Sequence, residues 1–323
     1  MTLKRLALFL IAAIGGNALA QPSLPSFRPI SADDTVLVVS PHPDDESLCC
    51  GGLIRTAQRA GARVAIVWVT NGDGFKWDAI VVEKKLRPRA GTYLELARQR
   101  QAEARSAGGA LGVQADSLMF LGYPDRGVLR LLLDYYDPET PWRSKFTGAN
   151  AVVYDDAVDP GASYRGENLV KDFSSVLDRV KPTLVLAPSP QDTHPDHRGT
   201  GLLVWRTMTA RGEQNRVRYW IVHGGRGWPA PHKYRPDLEQ TVPPRGLGMQ
   251  WESFALDSDA IEAKLRAVTA HQSQMKVMRH VMLSFVRADE IYSTVPVPPR
   301  SNCVHALVCE LDDESSLMEK SGL

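Results

Sequence analysis

Two short runs of aliphatic and β-branched residues, with one amphipathic segment between them, restrict what this chain can fold into more than any other feature. Thr35 to Ser40 reads TVLVVS and Arg63 to Thr70 reads RVAIVWVT. Neither run alternates apolar with polar residues, so each reads as a strand buried on both faces. Between them, Leu48 to Ala60 carries apolar residues at helical spacing and stops at Gly61. Strand, polar loop, helix and strand within about 35 residues form a βαβ unit, and such a unit needs a parallel sheet.

The alternation continues along the chain. YLELARQRQAEARSAGGALGV predicts a long helix that runs out at Gly112, and SLMFLGYPDRG the next strand and loop. SSVLDRVKPTLVLAPSP gives a helix and then a strand over Thr183 to Ala187. RVRYWIVHGG adds a strand, and SDAIEAKLRAVTAHQSQMKVMRHVM one long amphipathic helix. The implied class is α/β: a Rossmann-like, mostly parallel sheet with helices on both faces, a three-layer sandwich. A single domain is expected over 34–310, with 21–33 as an extended lead-in rich in Pro and Ser, and 311–323 as a C-terminal tail. The segment from about 128 to 170 has neither period and is rich in Tyr, Asp, Pro and Trp. An insertion of that length is either functional or an excursion packed on the edge.

The first residues follow another logic. Lys4 and Arg5 precede an apolar run from Leu6 to Ile14, and small residues end in Ala18-Leu19-Ala20. That is the layout of a signal peptide over 1–20, and the apolar run is too short to span a bilayer. The expectation is an exported protein, periplasmic or secreted, with no transmembrane segment after cleavage; an uncleaved anchor is the alternative. Cys303 and Cys309 are close enough to bridge, though sequence does not settle it. Cys49 and Cys50 are adjacent and read as small buried apolar residues at a helix start, facing opposite ways. Lys and Arg total 38 against 37 Asp and Glu, so nothing favours a nucleic-acid partner. The oligomeric state is not legible.

Ligands collect at the carboxyl ends of strands in open parallel sheets. Two loops occupy that position and share a composition. PHPDDE, Pro41 to Glu46, follows the first strand; PSPQDTHPDHRGTG, Pro188 to Gly201, follows the strand TLVLA. Catalytic zinc takes three protein ligands from His nitrogen and carboxylate oxygen and keeps one position open. His42 and one Asp of the first loop, with one His of the second, would complete that set. The spare carboxylate of the pair Asp44 and Asp45 would then be free to act on water. Either loop alone also reads as a capped turn, with Asp at a helix N-terminus. His223 ends a strand and could line the same pocket, whereas His232, His280 and His305 have no partner pattern.

These residues resemble the zinc-dependent N-acetylglucosaminyl deacetylases of the PIG-L and LmbE-like type. PHPDDESLCCGG is similar to the family's opening motif and HPDH, His194 to His197, to its second. TNGDG, RQRQAEARSAGGALGV, FLGYPDRG and AHQSQ are similar to segments between and after them, so the resemblance spans about 34–292. It implies His42, Asp45 and His197 as metal ligands and Asp44 as the general base. It implies His194 as the oxyanion stabiliser, Asp196 as the residue orienting an imidazole, and Arg100 and Asp125 as contacts to sugar hydroxyls. Glu46 would be structural, capping the helix or bonding to backbone near the site. The metal implied is Zn2+, although two His and one Asp with open positions also accept Fe2+ or Co2+.

The activity implied is removal of acetyl from an N-acetylated amino sugar, a GlcNAc-type glycan, glycolipid or glycoside, through metal-activated water. A sugar-binding protein that keeps the metal without turnover is the alternative, and the presence of Asp44 argues against it. A two-metal phosphoesterase would need more bridging ligands than these loops offer. In the insertion, Tyr135, Tyr136, Trp142 and Tyr164 are candidates to stack on sugar faces; a packed hydrophobic rim is the other reading.

Overall fold

A computed structural model describes residues 23–75 and 88–298. The expected signal peptide, the tail and the pair Cys303 and Cys309 lie outside the described residues. Seven strands form one sheet in the order β3-β2-β1-β4-β5-β7-β6. They are β1 (Thr35–Ser40), β2 (Arg63–Thr70), β3 (Leu118–Tyr123), β4 (Leu184–Pro188), β5 (Val217–Trp220), β6 (Trp251–Ala255) and β7 (Asp289–Ser293). The described helices are α1 (Asp45–Arg59), α2 (Ala90–Ala110), α3 (Val128–Leu133), α4 (Gly166–Val180), α5 (Pro195–Ala210), α6 (Ser258–Ala270) and α7 (Gln272–Leu283). None of them is long and apolar enough to cross a membrane.

The first five strands are parallel, as the βαβ pattern requires. β1 is the middle one of the five parallel strands, in register with β2 from Thr35 opposite Arg63 to Ser40 opposite Trp68, and with β4 through Val36 opposite Leu184. Its residues divide by parity. Val36 and Val38 enter one core with Leu53, Ile54, Ala107 and Ala267, and Leu37 and Val39 enter the other with Val128, Leu169, Phe173 and Leu203. Two covered faces explain why the strands are apolar throughout. The chain leaves β1 for β2 and β3 on one side, then returns to place β4 on the other. The sheet therefore has its switch point between β1 and β4, where a crevice opens at the strands' carboxyl ends.

Three expectations need correction. The long helix over 258–282 is two helices, broken at His271 (φ −76°, ψ 65°). The apolar period runs through the break, but His271 Nε2 lies 2.8 Å from Glu46 Oε1 and Ser273 Oγ donates to Glu103, contacts that draw the chain out of helical geometry. Cys49 and Cys50 do not face apart; both are buried and a disulfide joins them to each other (S–S 1.99 Å). The insertion is largely packed rather than open. Trp142 and Tyr164 are buried in the second core, Tyr135 packs against it, and Tyr136 is exposed. None of the four borders the cavity described below, so they form a rim and offer no stacking platform there.

Strands β6 and β7 escaped notice because DEIYS does not look like a buried strand. Glu290 is nonetheless 2 % exposed, and Lys264 Nζ and the Gly52 and Leu53 amides all donate to it. Asp289 accepts from Ser253 Oγ and the Gln240 amide. β7 pairs antiparallel with β5 and β6, which gives the parallel sheet an antiparallel edge.

One buried acid gives a pH dependence. Tyr123 Oη donates to Asp172 Oδ2 (2.7 Å) between β3 and α4. Burial pushes the Asp172 carboxyl up to about 6, against the lowering effect of that hydrogen bond. A folded-state value above the unfolded one stabilises at low pH, and the contribution fades as pH rises through about 6. Asp172→Asn keeps an acceptor for Tyr123 but cannot ionise. Its stability relative to the parent should therefore rise between pH 4 and 7 in urea titrations. A constant difference over that range would show that Asp172 ionises freely in the fold.

Candidate metal centre

Both loops at the switch point are held by their own side chains. After β1, Ser40 Oγ donates to His42 O (2.7 Å) and the His42 amide to Asp45 Oδ2 (3.1 Å). Between them Asp44 adopts φ 129°, ψ −35°, a region that residues other than glycine rarely enter. The Asp44 amide donates to Glu46 Oε2 (3.0 Å). Glu46 also accepts from Trp68 Nε1 and Ser47 Oγ and meets His271, so the strained turn rests on a fully buried carboxylate. This agrees with the backbone role expected for Glu46.

After β4, His194 caps α5, and its Nδ1 accepts from the Asp196 amide (3.3 Å). Asp192 ties this loop to the one after β5. Its Oδ1 accepts from the His194 amide, and its Oδ2 from the Val222 and His223 amides.

The two loops converge on one carboxylate oxygen. His42 Nδ1 is 3.1 Å and His197 Nε2 3.0 Å from Asp45 Oδ2, and the two imidazole rings are 5.3 Å apart. Donor atoms of His42, His194 and His197 also lie within 4.8 Å of one another. All eight residues named from the sequence fall in this region. Asp196 accepts from the Arg126 and Val128 amides and stands 3.2 Å from His42 Nε2, so the ring it orients is that of His42. His197 faces Asp192 instead, 3.2 Å from its Nδ1. Arg100 borders the cavity, but it donates to Pro43 O, Gly72 O and Asp44 Oδ2. Asp125 accepts from the Gly74 amide, and its own amide donates to Asp73, which Tyr154 of the insertion also reaches.

Does this donor set suit a metal ion? His197 is 0 % exposed. Both its ring nitrogens lie near carboxylate oxygens, yet neither contact is aligned as a hydrogen bond. Buried polar atoms left this way are rare, and an ion shared with Asp45 and His42 would satisfy one of them. The charges agree. Burial opposes a charge on His197, but the Asp192 and Asp45 carboxylates outweigh it and hold the ring at about 9. His42 is likewise held well above its ordinary value by Asp196 and Asp45, against its burial. Asp45 stays well below the carboxylate range despite burial, because the His197 and His42 rings face it. The cluster draws positive charge to the place where the nitrogens and the oxygen meet. The residues fit a divalent ion.

Asp44 and His194 differ from His42, Asp45 and His197. Burial pushes the Asp44 carboxyl up to about 7; Arg100 at 3.3 Å opposes this and Asp45 adds to it. Burial, and then the His42 ring, hold His194 well below its ordinary value, which favours the neutral imidazole. With Nδ1 accepting, its proton sits on Nε2. A cavity of about 430 Å³ opens over these groups, bordered by His42, Asp44, Asp45, Asp125 and His194, with His223 at its side as expected.

Asp73 and Asp192 were not singled out from the sequence. Each sits in a polar loop at the carboxyl end of a parallel strand, and that position was the available signal.

The chain is similar to known proteins in sequence and in fold. The family model described as PIG-L, GlcNAc-PI de-N-acetylase, matches residues 37–208. Diacetylchitobiose deacetylase of Thermococcus kodakarensis is 26% identical over 254 residues, covering 76% of this chain and 72% of that protein. A 1D-myo-inositol 2-acetamido-2-deoxy-alpha-D-glucopyranoside deacetylase of a Mycobacterium strain is 28% identical over 256 residues, covering 75% and 74%. Among solved structures, N,N'-diacetylchitobiose deacetylase of Pyrococcus horikoshii shares the fold at a TM-score of 0.50 and 19% identity, covering 83% of this chain and 88% of that one.

Proposed function

Because this chain belongs to the PIG-L family of GlcNAc-PI de-N-acetylases, we propose that it hydrolyses the acetamide of an N-acetylated amino sugar, using a divalent ion held by His42, Asp45 and His197. The observation that carries this reading is the placement of Asp44. A carboxylate sits beside the cluster on a strained turn, facing the cavity, and is not itself used to complete the donor set. The relatives named above act on acetylated amino sugars by their names, which supports the same substrate class here.

When bound, the ion supplies Lewis acidity and makes water a stronger acid. Zinc is the ion we assign, and the same donors accept iron(II) or cobalt. The chain's own residues do the rest. Asp44 takes a proton from the attacking water, and Arg100 fixes the direction of its carboxylate. Neutral His194 offers its Nε2–H to the oxygen on which charge develops, as a preorganised donor should. Asp44, now protonated, is placed to return the proton to the departing nitrogen, so one carboxylate serves both steps. Asp196 and Asp192 hold the His42 and His197 rings, and Asp125 at the cavity edge is assigned to a sugar hydroxyl. The second reading, a sugar-binding protein without turnover, leaves the support built around Asp44 unexplained.

The test is acetate release from a panel of N-acetylated sugars and envelope polymers, with and without a chelator. Release that stops with chelator and returns with added metal is expected; no acetate from any of them overturns the reading. Residues 1–20 further lead us to assign the protein to the periplasm or the exterior. N-terminal sequencing of protein from the exported fraction would test this, and recovery of an uncleaved chain would argue for an anchor.

A further inference from the structure

His223 borders the cavity, yet the proposed reaction makes no use of it. It stands in the loop after β5, the parallel neighbour of β4, so a third loop at the strands' carboxyl ends reaches the cluster. Its backbone is fixed on both sides. The His223 amide donates to Asp192 Oδ2 (2.9 Å), and its carbonyl accepts from the Thr193 amide and hydroxyl (both 3.2 Å). The same Asp192 oxygen lies 3.2 Å from His197 Nδ1. One carboxylate thus holds the loop that carries His223 and faces the ring of His197. The two rings lie 4.6 Å apart at 68°, and the His223 ring stacks on that of His194 at 5.2 Å.

Among the described residues, no hydrogen bond or ion pair engages either nitrogen of the His223 ring. An exposed histidine can leave that to water. What sets this one apart is where its nitrogen falls. A ring nitrogen of His223, an oxygen of Asp45 and a ring nitrogen of His197 all lie within 4.8 Å of one another. Asp45 and His197 are two of the three donors assigned to the ion. We infer that His223 is a further protein donor to that ion, contributed by the loop after β5. Catalytic zinc keeps a position for water or substrate and can expand to five ligands, so a fourth protein donor does not close the site. His223 is exposed while His42, Asp45 and His197 are buried, which makes it the donor on the solvent side of the ion. The inference rests on the metal reading of those three residues.

The experiment loads the chelator-stripped full chain with Co2+ alone and reads the ion rather than turnover. Imidazoles bound to cobalt(II) give strongly shifted ring-proton resonances in the NMR spectrum, so a ligating histidine is recognised by the signals that its replacement removes. His223→Ala should lose one such set. Calorimetry should show its Co2+ affinity lower by about tenfold or more, the scale on which disturbing a ligating imidazole acts. His223→Phe keeps a ring against His194 and removes only the nitrogens. It should lose the same set, which separates a missing donor from altered packing. If both variants keep every shifted signal of the parent, His223 is no ligand, whatever happens to the affinity, and the metal reading stands without it. A parent chain that takes up no Co2+ overturns the metal reading and this inference together.

Discussion

Asp44→Asn lowers kcat for acetate release by about 10²–10⁴-fold, the usual effect of losing a positioned general base, while the protein keeps one metal ion per chain. Asparagine preserves the volume and still accepts a hydrogen bond from Arg100, so the missing function is proton transfer alone. KM should change little, because the side chain is assigned to the transition state rather than to substrate binding. Asp44→Ala should show the same loss in kcat. Turnover equal to the parent's would remove Asp44 from the base role. Loss of the ion from Asp44→Asn would move it into the ligand set and require another base.

The backbone gives this prediction its weight. A non-glycine residue at φ 129° costs of order 1–3 kcal/mol and persists only where its surroundings impose it. Here Glu46 binds the Asp44 amide, Arg100 binds its carboxylate and the Pro43 carbonyl, and His271 reaches Glu46 from the far end of the chain. A helix cap would need none of this, and Asp44 in fact makes no side-chain cap bond to α1. The side-chain cap bond of a capped turn is therefore absent from PHPDDE, although Asp45 and Glu46 do stand in the first turn of α1. On the proposed reading the acidic cluster divides into a ligand (Asp45), a base (Asp44) and a buried brace (Glu46).

How much of this was legible beforehand depended on whether neighbours in sequence carried the information. β1 and β2 are found at the expected residues, because a strand buried on both faces must be continuously apolar and nothing else in TVLVVS or RVAIVWVT competes with that. The loop positions after β1 and β4 followed from parallel topology, and both motifs lay in them. β7 was not legible, because its acids are neutralised by partners distant in sequence: Lys264 is paired with Glu290 and Ser253 with Asp289. The break at His271 was invisible for the same reason, since its cause is Glu46, 225 positions away. Asp192 and Asp73 sat in polar loops where an aspartate most often serves a turn, and only the folded arrangement shows what each one holds. The lining of the cavity comes from separate elements, so no window of sequence could display it.

His197→Ala should lose the ion altogether: metal analysis after dialysis should find well under one ion per chain, against about one in the parent. The side chain is fully buried between Asp45 and Asp192. Its removal takes away one of three donors and leaves two carboxylates facing each other across a vacated site. Stability should also fall, because two buried carboxylates lose the imidazole that faces them both. A far-UV spectrum and an urea midpoint therefore have to accompany the metal measurement. Asp192→Asn makes the argument independent of ligand loss. It leaves all three donors in place; it weakens the hold on the His197 ring and takes one acceptor oxygen from the His194, Val222 and His223 amides, so metal affinity should drop by about 10–100-fold, as for other residues that orient a ligating imidazole. A folded His197→Ala protein that still carries one ion per chain would strike His197 from the ligand set. An Asp192→Asn protein with unchanged affinity would mean that its short contact with His197 does no orienting. Graded loss, slight for Asp192→Asn and complete for His197→Ala, is the pattern expected if the two loops at the switch point meet on one ion.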